Sequence, residues 1–271
     1  MPLATTARVM QISRQAIYRT PAPRRRPVRP ISLDEIDTAI VETAKENPTD
    51  GYRMVWALTR RKTGKAINRK RVLRVMREQK LIQPKRRHQR RKRPGFFRVE
   101  RPLELWHMDM TSIWVAENGW CYLNAIIDCC SREIVGWSLD IRCRWQEASA
   151  CIEAAATAQN IGPNQLTLGT DNGTAYTSRS FRARLVELGI THRRGGYRDP
   201  ESQAFIESWF SKLKEREVWR NEYETLEDAR AAVGGYVDRY HRRPHQFLNY
   251  RTPKEVRATW DYPEDLQKLA A

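Results

Sequence analysis

The 271-residue sequence predicts an α/β fold, a mixed five-stranded sheet with flanking helices, preceded by a small all-α unit. Three consecutive strand-like segments follow residue 105, and further strands then alternate with helices, which is typical of a mixed sheet covered by helices. Residues 31–83 show instead the apolar spacing and capping residues of short helices. A dense run of basic residues within 84–100 separates the two patterns and marks the boundary between them.

The positive charge is concentrated in the first third of the chain. The sequence has 49 Lys and Arg against 32 Asp and Glu, a net charge of +17. Residues 1–100 hold 27 basic and 8 acidic side chains, whereas residues 101–271 hold 22 and 24. A basic arm on a nearly neutral globular part predicts a polyanionic partner, most simply nucleic acid. Alternatively, the positive charge serves only to keep the protein soluble, and the sequence leaves this alternative open.

Several classes of protein are excluded by composition. No apolar run approaches the roughly 18 residues of a membrane span, and the N-terminus has no apolar secretory core. The cysteines are odd in number and have no CxxC pair, which argues against a disulfide framework and a structural zinc. We therefore expect buried, reduced thiols in a cytoplasmic protein: Cys121, Cys129, Cys130, Cys143 and Cys151.

The first 30 residues are predicted to contain a partial helix-turn-helix and a linker. Ser13 can cap a short helix over 14–19, although a frayed terminal helix explains the pattern equally well. The segment 21–27, PAPRRRP, cannot continue a helix and predicts an extended Pro/Arg linker.

Residues 31–83 are predicted to form a helix-turn-helix-like DNA-binding domain. Ser32 with Glu35 forms a capping box for its first helix, and Asn68 caps its third. A short capped helix with cations near its N-terminus suits insertion into a major groove. A solvated basic face on an ordinary three-helix packet is the alternative. The predicted DNA contacts on this helix are Arg69, Lys70, Arg71 and Arg74.

The linker at 84–100 has seven Lys or Arg within nine residues. Such density repels itself and predicts a flexible tether that phosphates neutralise. The predicted phosphate contacts here are Lys85, Arg86, Arg87, Arg90, Arg91, Lys92 and Arg93.

Residues 101–225 form the predicted α/β core, and residues 226–271 a C-terminal helix and tail. The alternation of apolar and polar residues sets the individual elements. We predict strands over 106–115, 120–129, 134–141, 165–170 and 190–194, and helices over 145–159, 180–188, 203–219 and 226–242.

Three acidic residues of this core are selected by their placement. Asp109 lies in the middle of a strand, where an Asp is disfavoured, and Asp171 ends the fourth strand. Glu207 lies on a helix whose opposite stripe is apolar, and Lys214 follows it on the same face. Converging carboxylates repel unless cations or protons neutralise them, and hard oxygen ligands favour Mg²⁺. Two such ions can activate the attacking oxygen and stabilise the leaving oxygen of a phosphodiester.

Other residues of the core are weaker candidates for a catalytic role. Asp128 could be a fourth acid, but its position after the second strand favours a structural role, capping the turn or pairing with Arg132. His107, His192, His241 and His245 have no partners for a nucleophilic triad, and we expect them to pack or to contact phosphate.

The motifs WHMDMT, GWCYLNAIIDCCSREIVGW, TDNGTAYTS and FIESWFSKLKERE resemble the second-frame product of IS-three family insertion sequences. The tail YVDRYHRRPHQFLNYRTPKEV and the helical unit of residues 51–78 resemble the same family. Asp109, Asp171 and Glu207, with 35 residues between the last two, resemble the catalytic triad of retroviral-integrase-like transposases.

The resemblance implies a ribonuclease H-like catalytic core and DNA nicking and strand transfer at terminal inverted repeats. It implies two Mg²⁺ ions, replaceable by Mn²⁺, with Asp109 bridging them and Asp171 and Glu207 each holding one. Lys214 would hold DNA. It further implies a homo-oligomer, at least a dimer, on terminal-repeat and target DNA in the bacterial nucleoid, and an upstream-frame product as partner or fusion.

Two other functions remain open from the sequence. A structure-selective DNA nuclease on the same fold would use the same acids without reading a specific DNA end. A non-catalytic DNA-binding regulator would need no metal at all.

Overall fold

The computed structural model describes residues 3–11, 13–17, 33–82, 99–195 and 204–261. The chain forms two compact units, Met1–Thr38 and Ala39–Ala271. The first unit contains helices α1 (Leu3–Val9) and α2 (Arg14–Ile17). Helix α3 (Glu35–Glu46) starts in the first unit and continues into the second. The Pro/Arg segment at 21–27 lies outside the described residues.

Helices α4 (Tyr52–Thr63) and α5 (Arg69–Glu78) confirm the predicted second and third helices of the DNA-binding segment. Helix α4 ends at Gly64, whose φ of +66° is the left-handed conformation that glycine adopts without strain. The Asn68 side chain accepts a hydrogen bond from the Lys70 amide at 2.8 Å and so begins α5. The predicted cap Ser32 lies outside the described residues.

Five strands form one mixed sheet in the order β3-β2-β1-β4-β5. Strands β1, β2 and β3 are consecutive antiparallel neighbours, while β4 pairs parallel with β1 and β5 pairs parallel with β4. Each strand overlaps its predicted segment, so the predicted mixed sheet is confirmed. The strands are β1 (Leu105–Val115), β2 (Gly119–Asp128), β3 (Ile134–Asp140), β4 (Thr167–Thr170) and β5 (Thr191–Arg194).

Two layers of helices cover this sheet. The alternation of side chains along β1 separates the two cores, because successive residues of a strand face opposite sides. Trp106 and Met108 pack in the cluster of α6 and α8, whereas Ile113 and Val115 pack in the cluster of α9 and α10. The helices are α6 (Trp145–Ala158), α7 (Thr174–Thr177), α8 (Arg179–Glu187), α9 (Ala204–Arg216), α10 (Leu226–His241) and α11 (Pro253–Asp261).

Three differences from the predicted elements have local causes. The helix predicted over 203–219 ends as α9 at Arg216, and a 3₁₀ turn at Val218–Arg220 follows it. The short α7 was not predicted, because four residues are too few to show a helical period. The predicted tail contains α11, in which Val256 is buried.

Asp128 is part of the β2–β3 turn, as the structural interpretation predicted. Its fully buried carboxylate accepts five hydrogen bonds, from the amides of Leu103, Cys130 and Ser131, the Ser131 hydroxyl and the Trp106 indole. A carboxylate whose lone pairs are used in this way has little capacity left for a ligand.

A buried ion cluster joins the α3–α4 turn to the C-terminal end of α9. The side chain of Asp50 is 1% exposed and pairs with Arg216 at 3.1 Å and with Arg243. Arg243 also donates to the side-chain oxygen of Asn47 at 3.3 Å. The side chains of Arg216 and Arg243 are only 23% and 20% exposed, and both guanidinium groups pair with this one carboxylate. The stability of the cluster therefore depends on Asp50.

No helix within the described ranges is long and apolar enough to cross a membrane. All five cysteines are free thiols, but the prediction that all are buried is wrong for Cys130 and Cys143, which are partly exposed.

We predict that Asp50→Asn lowers the free energy of unfolding by about 3 kcal/mol, because it leaves two buried cations without their counter-ion. Urea unfolding monitored by tryptophan fluorescence measures this. Asp140→Asn is the matched control, since Asp140 accepts only one long hydrogen bond, at 3.4 Å from the Arg142 amide. Equal effects of the two substitutions would contradict the prediction.

Candidate active site

Asp109 of β1 and Asp171, the residue that follows β4, come directly after a registered pair of two adjacent parallel strands. Met108 of β1 is in register with Thr170 of β4, and each aspartate is the next residue along its chain. Parallel neighbours lie about 4.8 Å apart, and residues in register share a face of the sheet. Register and alternation thus bring the first two predicted acids together, although 61 residues of sequence separate them.

The shared face is the one that α9 covers. His107, two residues before Asp109 and therefore on the same face, stacks on Phe205 of α9 with ring centroids 6.1 Å apart. Glu207 is exposed in the first turn of that helix. The sheet and the helix together place the third acid on the side of the first two.

Local hydrogen bonds fix the two aspartates. The Asp109 carboxylate accepts from the Met110 amide at 2.7 Å, and the Asp171 carboxylate accepts from the Gly173 amide at 2.9 Å. A Cβ at position 173 would lie 2.9 Å from Asp171 Oδ1, so this turn requires glycine. Asn172 donates to the Gly195 carbonyl at 3.1 Å and ties the end of β4 to the end of β5.

The three acids interact electrostatically at Asp109. The pKa of Asp109 is raised to about 6, mainly by burial and to a smaller extent by the negative charges of Asp171 and Glu207, while the Met110 hydrogen bond opposes the rise. Among the described residues, no group of three or more His, Cys, Asp or Glu side chains is arranged to hold a metal ion. The carboxylates are therefore close enough to repel one another but do not stand in ligating positions. Hard carboxylate oxygens of this kind are nevertheless the donors that Mg²⁺ prefers.

A buried tyrosine underlies the acids. Tyr176 of α7 donates to the side-chain oxygen of Asn124 on β2 at 3.3 Å. Burial, together with the charges of Asp109 and Asp171, raises its pKa well above the usual range. It therefore remains a neutral hydrogen-bond donor beneath the site. The sequence analysis missed it, although it stands five residues after Asp171 in the motif that carries that acid.

The four histidines of the described core confirm the packing interpretation in part. His192 is hydrogen-bonded to the Thr170 hydroxyl at 2.9 Å, and the His241 ring accepts from the Ile134 amide at 3.0 Å. Burial lowers the pKa of His241 to about 4, which keeps it neutral as an acceptor.

A second candidate surface is a basic cleft of about 490 Å³ between the α4–α5 segment and the residues before α11. Trp56 and Tyr250 form its aromatic floor, with ring centroids 5.2 Å apart. The cations that line it are Arg60, Arg61, Lys65, Arg69 and Arg251.

Aromatic rings and one acid position the arginines of the cleft. The Arg69 guanidinium lies 4.2 Å from the Trp56 ring centroid and 5.4 Å from that of Tyr250. Arg61 instead makes a bidentate pair with Glu255, at 2.6 Å for each bond. The rings thus cover the face of the Arg69 guanidinium and leave its N–H edge for a ligand. The charge of Arg61 is already neutralised by Glu255.

The other predicted DNA contacts fall in three groups. Lys70 is exposed, Arg71 is half-buried, and Arg74 pairs with Glu78 at 3.1 Å. Lys214 is half-buried in α9, two turns after Glu207. The seven basic residues from Lys85 to Arg93 lie outside the described residues. Arg60, Lys65 and Arg251 were missed, because only the folded chain brings them to one cleft.

Three protein-family models match the chain. The model described as Integrase core domain matches residues 99–200, a second model with that description matches residues 188–253, and one described as HTH-like domain matches residues 32–90. These matches agree with the sheet, and they confirm the predicted ribonuclease H-like fold. They define the class of the protein as a DDE-type polynucleotidyl transferase.

Two relatives and one solved structure illustrate the similarity. The transposase for insertion sequence element IS904 of Lactococcus lactis is 31% identical over 161 residues, which are 59% of this chain and 63% of that protein. The alignment therefore spans just under two thirds of that relative. The Escherichia coli transposase InsD for insertion element IS2A/D/F/H/I/K is 28% identical over 225 residues, 78% of this chain and 74% of that protein.

A simian T-cell lymphotropic virus intasome structure aligns with 20% identity and a TM-score of 0.41, covering 64% of this chain and 59% of that one. The assignment rests on the sequence matches. The chain is similar in sequence to insertion-sequence transposases and matches models of an integrase core and an HTH-like domain.

We predict that Asp109→Asn stabilises the metal-free protein at about pH 8 by about 2 to 3 kcal/mol, because a raised pKa means that the folded state disfavours the charged carboxylate. The folded protein binds the extra proton between about pH 4 and pH 6, so wild-type stability falls as the pH rises through that window. The stabilisation by Asp109→Asn should be small below about pH 4 and constant above about pH 6. Urea unfolding in a chelator measures this, and the exposed Asp238→Asn is the control. A gain independent of pH would contradict the prediction.

Proposed function

We propose that this chain is a DNA transposase that nicks DNA and transfers strands at the terminal inverted repeats of its insertion sequence. The single observation that supports the proposal is that Asp109 and Asp171 each follow one residue of the registered pair Met108 and Thr170, and that the charges of Asp171 and Glu207 both act on the Asp109 carboxyl group. The matches to integrase-core models and to transposases support the same chemistry.

The donor set fits a pair of divalent ions. Asp109, Asp171 and Glu207 would hold two Mg²⁺ ions, and Mn²⁺ would substitute. When bound, the ions lower the barrier for attack of an oxygen nucleophile on a phosphodiester and for departure of the leaving oxygen. Burial, and to a smaller extent the charges of Asp171 and Glu207, raises the pKa of Asp109, and a bound cation would relieve both effects by stabilising the charged carboxylate.

The residues of the chain itself bind and orient the DNA. Lys214, on the helix that carries Glu207, would hold a phosphate near the acids. The basic cleft would hold the duplex further from them, through Lys65, Arg69 and Arg251. A DNA 3′-hydroxyl produced by the first cut would be the nucleophile of the second step, without a covalent protein intermediate.

Two DNA ends must meet for strand transfer, so the active form would be at least a dimer on DNA. The upstream-frame product of the element, alone or as a fusion, would be a further partner. The site of action would be the bacterial cytoplasm at the nucleoid.

We predict that Asp109→Asn and Glu207→Gln abolish Mg²⁺-dependent nicking of a labelled terminal repeat and retain DNA binding. The reason is that each removes a charged ligand while keeping the size of the side chain. A gel assay of nicking, with a mobility-shift assay of the same proteins, tests this, and Glu187→Gln on α8 is the control. Unchanged nicking in either variant would refute the assignment of these acids, and absence of any metal-dependent cutting in the wild type would favour a non-catalytic regulator.

Joined products separate a transposase from a nuclease on the same fold. With a pre-cut terminal repeat and a target plasmid, we expect covalently joined DNA that depends on the free 3′-hydroxyl. Hydrolysis without joined product would favour the structure-selective nuclease.

We predict that DNA affinity falls steeply with salt, with log affinity dropping by about 0.9 per phosphate neutralised for each unit of log salt. Arg69→Gln should reduce this slope by about one contact. Arg61→Gln is the matched control in the same cleft, since its charge is already paired with Glu255. Fluorescence anisotropy from low to moderate salt measures both, and equal slopes for wild type and Arg69→Gln would contradict the proposed cleft.

A further inference from the structure

A separate pocket of about 280 Å³ lies along a different stripe of α9. Phe205, Trp209 and Lys212 stand four and then three positions apart and so share one face of the helix. Glu207 and Lys214 belong to another face. The side chains used below to define this aromatic pocket are Arg132, Phe205, Trp209, Lys212, His245 and Phe247.

Two buried donors of the aromatic pocket have no hydrogen-bond partner among the described residues. They are Nη1 of Arg132 and the indole Nε1 of Trp209. Buried N–H groups are nearly always paired in folded proteins, because an unpaired one forfeits its hydration. Both belong to residues that line this pocket, so its surroundings are short of hydrogen-bond acceptors.

Positive charge in the pocket exceeds its negative charge. Desolvation lowers the pKa of Lys212, and the charges of Arg216 and Arg243 lower it further. Burial, followed by the same cations and Lys212, lowers the pKa of His245 to about 3. The Asp50 carboxylate beside them is already shared by Arg216 and Arg243.

Arg132 has no free acid either. The oxygens of nearby Asp128 are taken by five other donors, and no ion pair joins Arg132 or Lys212 to a carboxylate in the described part of the chain. Desolvated cations without a counter-ion are unfavourable, so this pocket is complementary to an anion.

The rest of the lining is flat and aromatic. The Arg132 guanidinium lies 3.1 Å from the ring centroid of Phe205, and Phe247 is 74% exposed at the rim. Aromatic faces beside cations are the common means of binding a base and its phosphate. At about 280 Å³, the cavity is near the lower limit for ligand pockets, which suits one nucleotide and nothing larger.

We propose that the aromatic pocket binds a single nucleotide of the DNA strand, rotated out of its stack, with its base on the exposed ring of Phe247 and its phosphate at Arg132 and Lys212. The inference rests on the proposed function, because the DNA under cleavage supplies the nucleotide. The pocket lies about one helix diameter, about 10 Å, across α9 from Glu207. At about 3.4 Å per nucleotide, the bound one is within a few positions of the scissile phosphate.

The test measures binding to the full chain without metal and so without catalysis. The probes are 2-aminopurine deoxynucleoside 5′-monophosphate, the same nucleoside without phosphate, and a single-stranded hexanucleotide with one internal 2-aminopurine. Stacking on an aromatic ring quenches the fluorescence of this base. We expect the monophosphate to bind at least tenfold more tightly than the nucleoside, and the hexanucleotide more tightly than either.

Two pairs of variants isolate the pocket. Phe247→Ala should weaken hexanucleotide binding and quenching at least tenfold, whereas Trp219→Ala, an equally exposed aromatic on the 3₁₀ turn after α9, should not. Lys212→Gln should likewise weaken hexanucleotide binding and quenching at least tenfold. Lys254→Gln, at an exposed lysine outside the pocket, should leave both unchanged. Circular dichroism checks that each variant is folded.

Equal binding of nucleoside and monophosphate, or wild-type quenching in both Phe247→Ala and Lys212→Gln, would overturn the proposal. A monophosphate that binds as tightly as the hexanucleotide would overturn the DNA strand as its source and indicate a free nucleotide. Nicking by a protein that shows no quenching would refute this inference and leave the proposed function intact. Quenching by a protein that never cuts DNA would refute the proposed function instead.

Discussion

The crowding of negative charge at Asp109 is the constraint on which the rest of the site depends. Asp109 projects from the middle of β1 toward α9, and Asp171 stands beside it because β1 and β4 are parallel and in register. The buried position and the two neighbouring acids together raise its pKa to about 6. The charged form of Asp109 therefore lowers the stability of the folded protein. Such a cost is expected at a functional site that binds cations, and not at a position that serves packing alone.

The helix α9 connects this charged site to the remainder of the second unit. Its first turn carries Glu207, and its last residue, Arg216, is bound to Asp50 in the α3–α4 turn. The turn between α3 and α4 is therefore bound to the helix that carries the third predicted acid.

Sequence reasoning predicted the strands correctly, and it selected the three acids, because each of these features differs locally from its neighbours in the sequence. An Asp inside an apolar strand such as that of Asp109, or an Asp-Asn-Gly turn after a strand as at Asp171, contrasts with its neighbours. Contacts between distant segments cannot be recognised in this way. Asp50 and Arg216 are 166 residues apart, and Tyr250 contacts Arg69 of α5 only in the folded chain. The register of β1 with β4 was likewise invisible, because 50 or more residues separate the paired positions.

The most direct measurement of the central claim is anomalous scattering from Mn²⁺ in crystals of the protein bound to a terminal-repeat DNA. The account predicts two Mn²⁺ peaks about 3.5 to 4 Å apart, with an Asp109 oxygen shared between them and with Asp171 and Glu207 each on one ion. Manganese bound away from Asp109, or the three carboxylates remaining too far apart to share the ions, would contradict it.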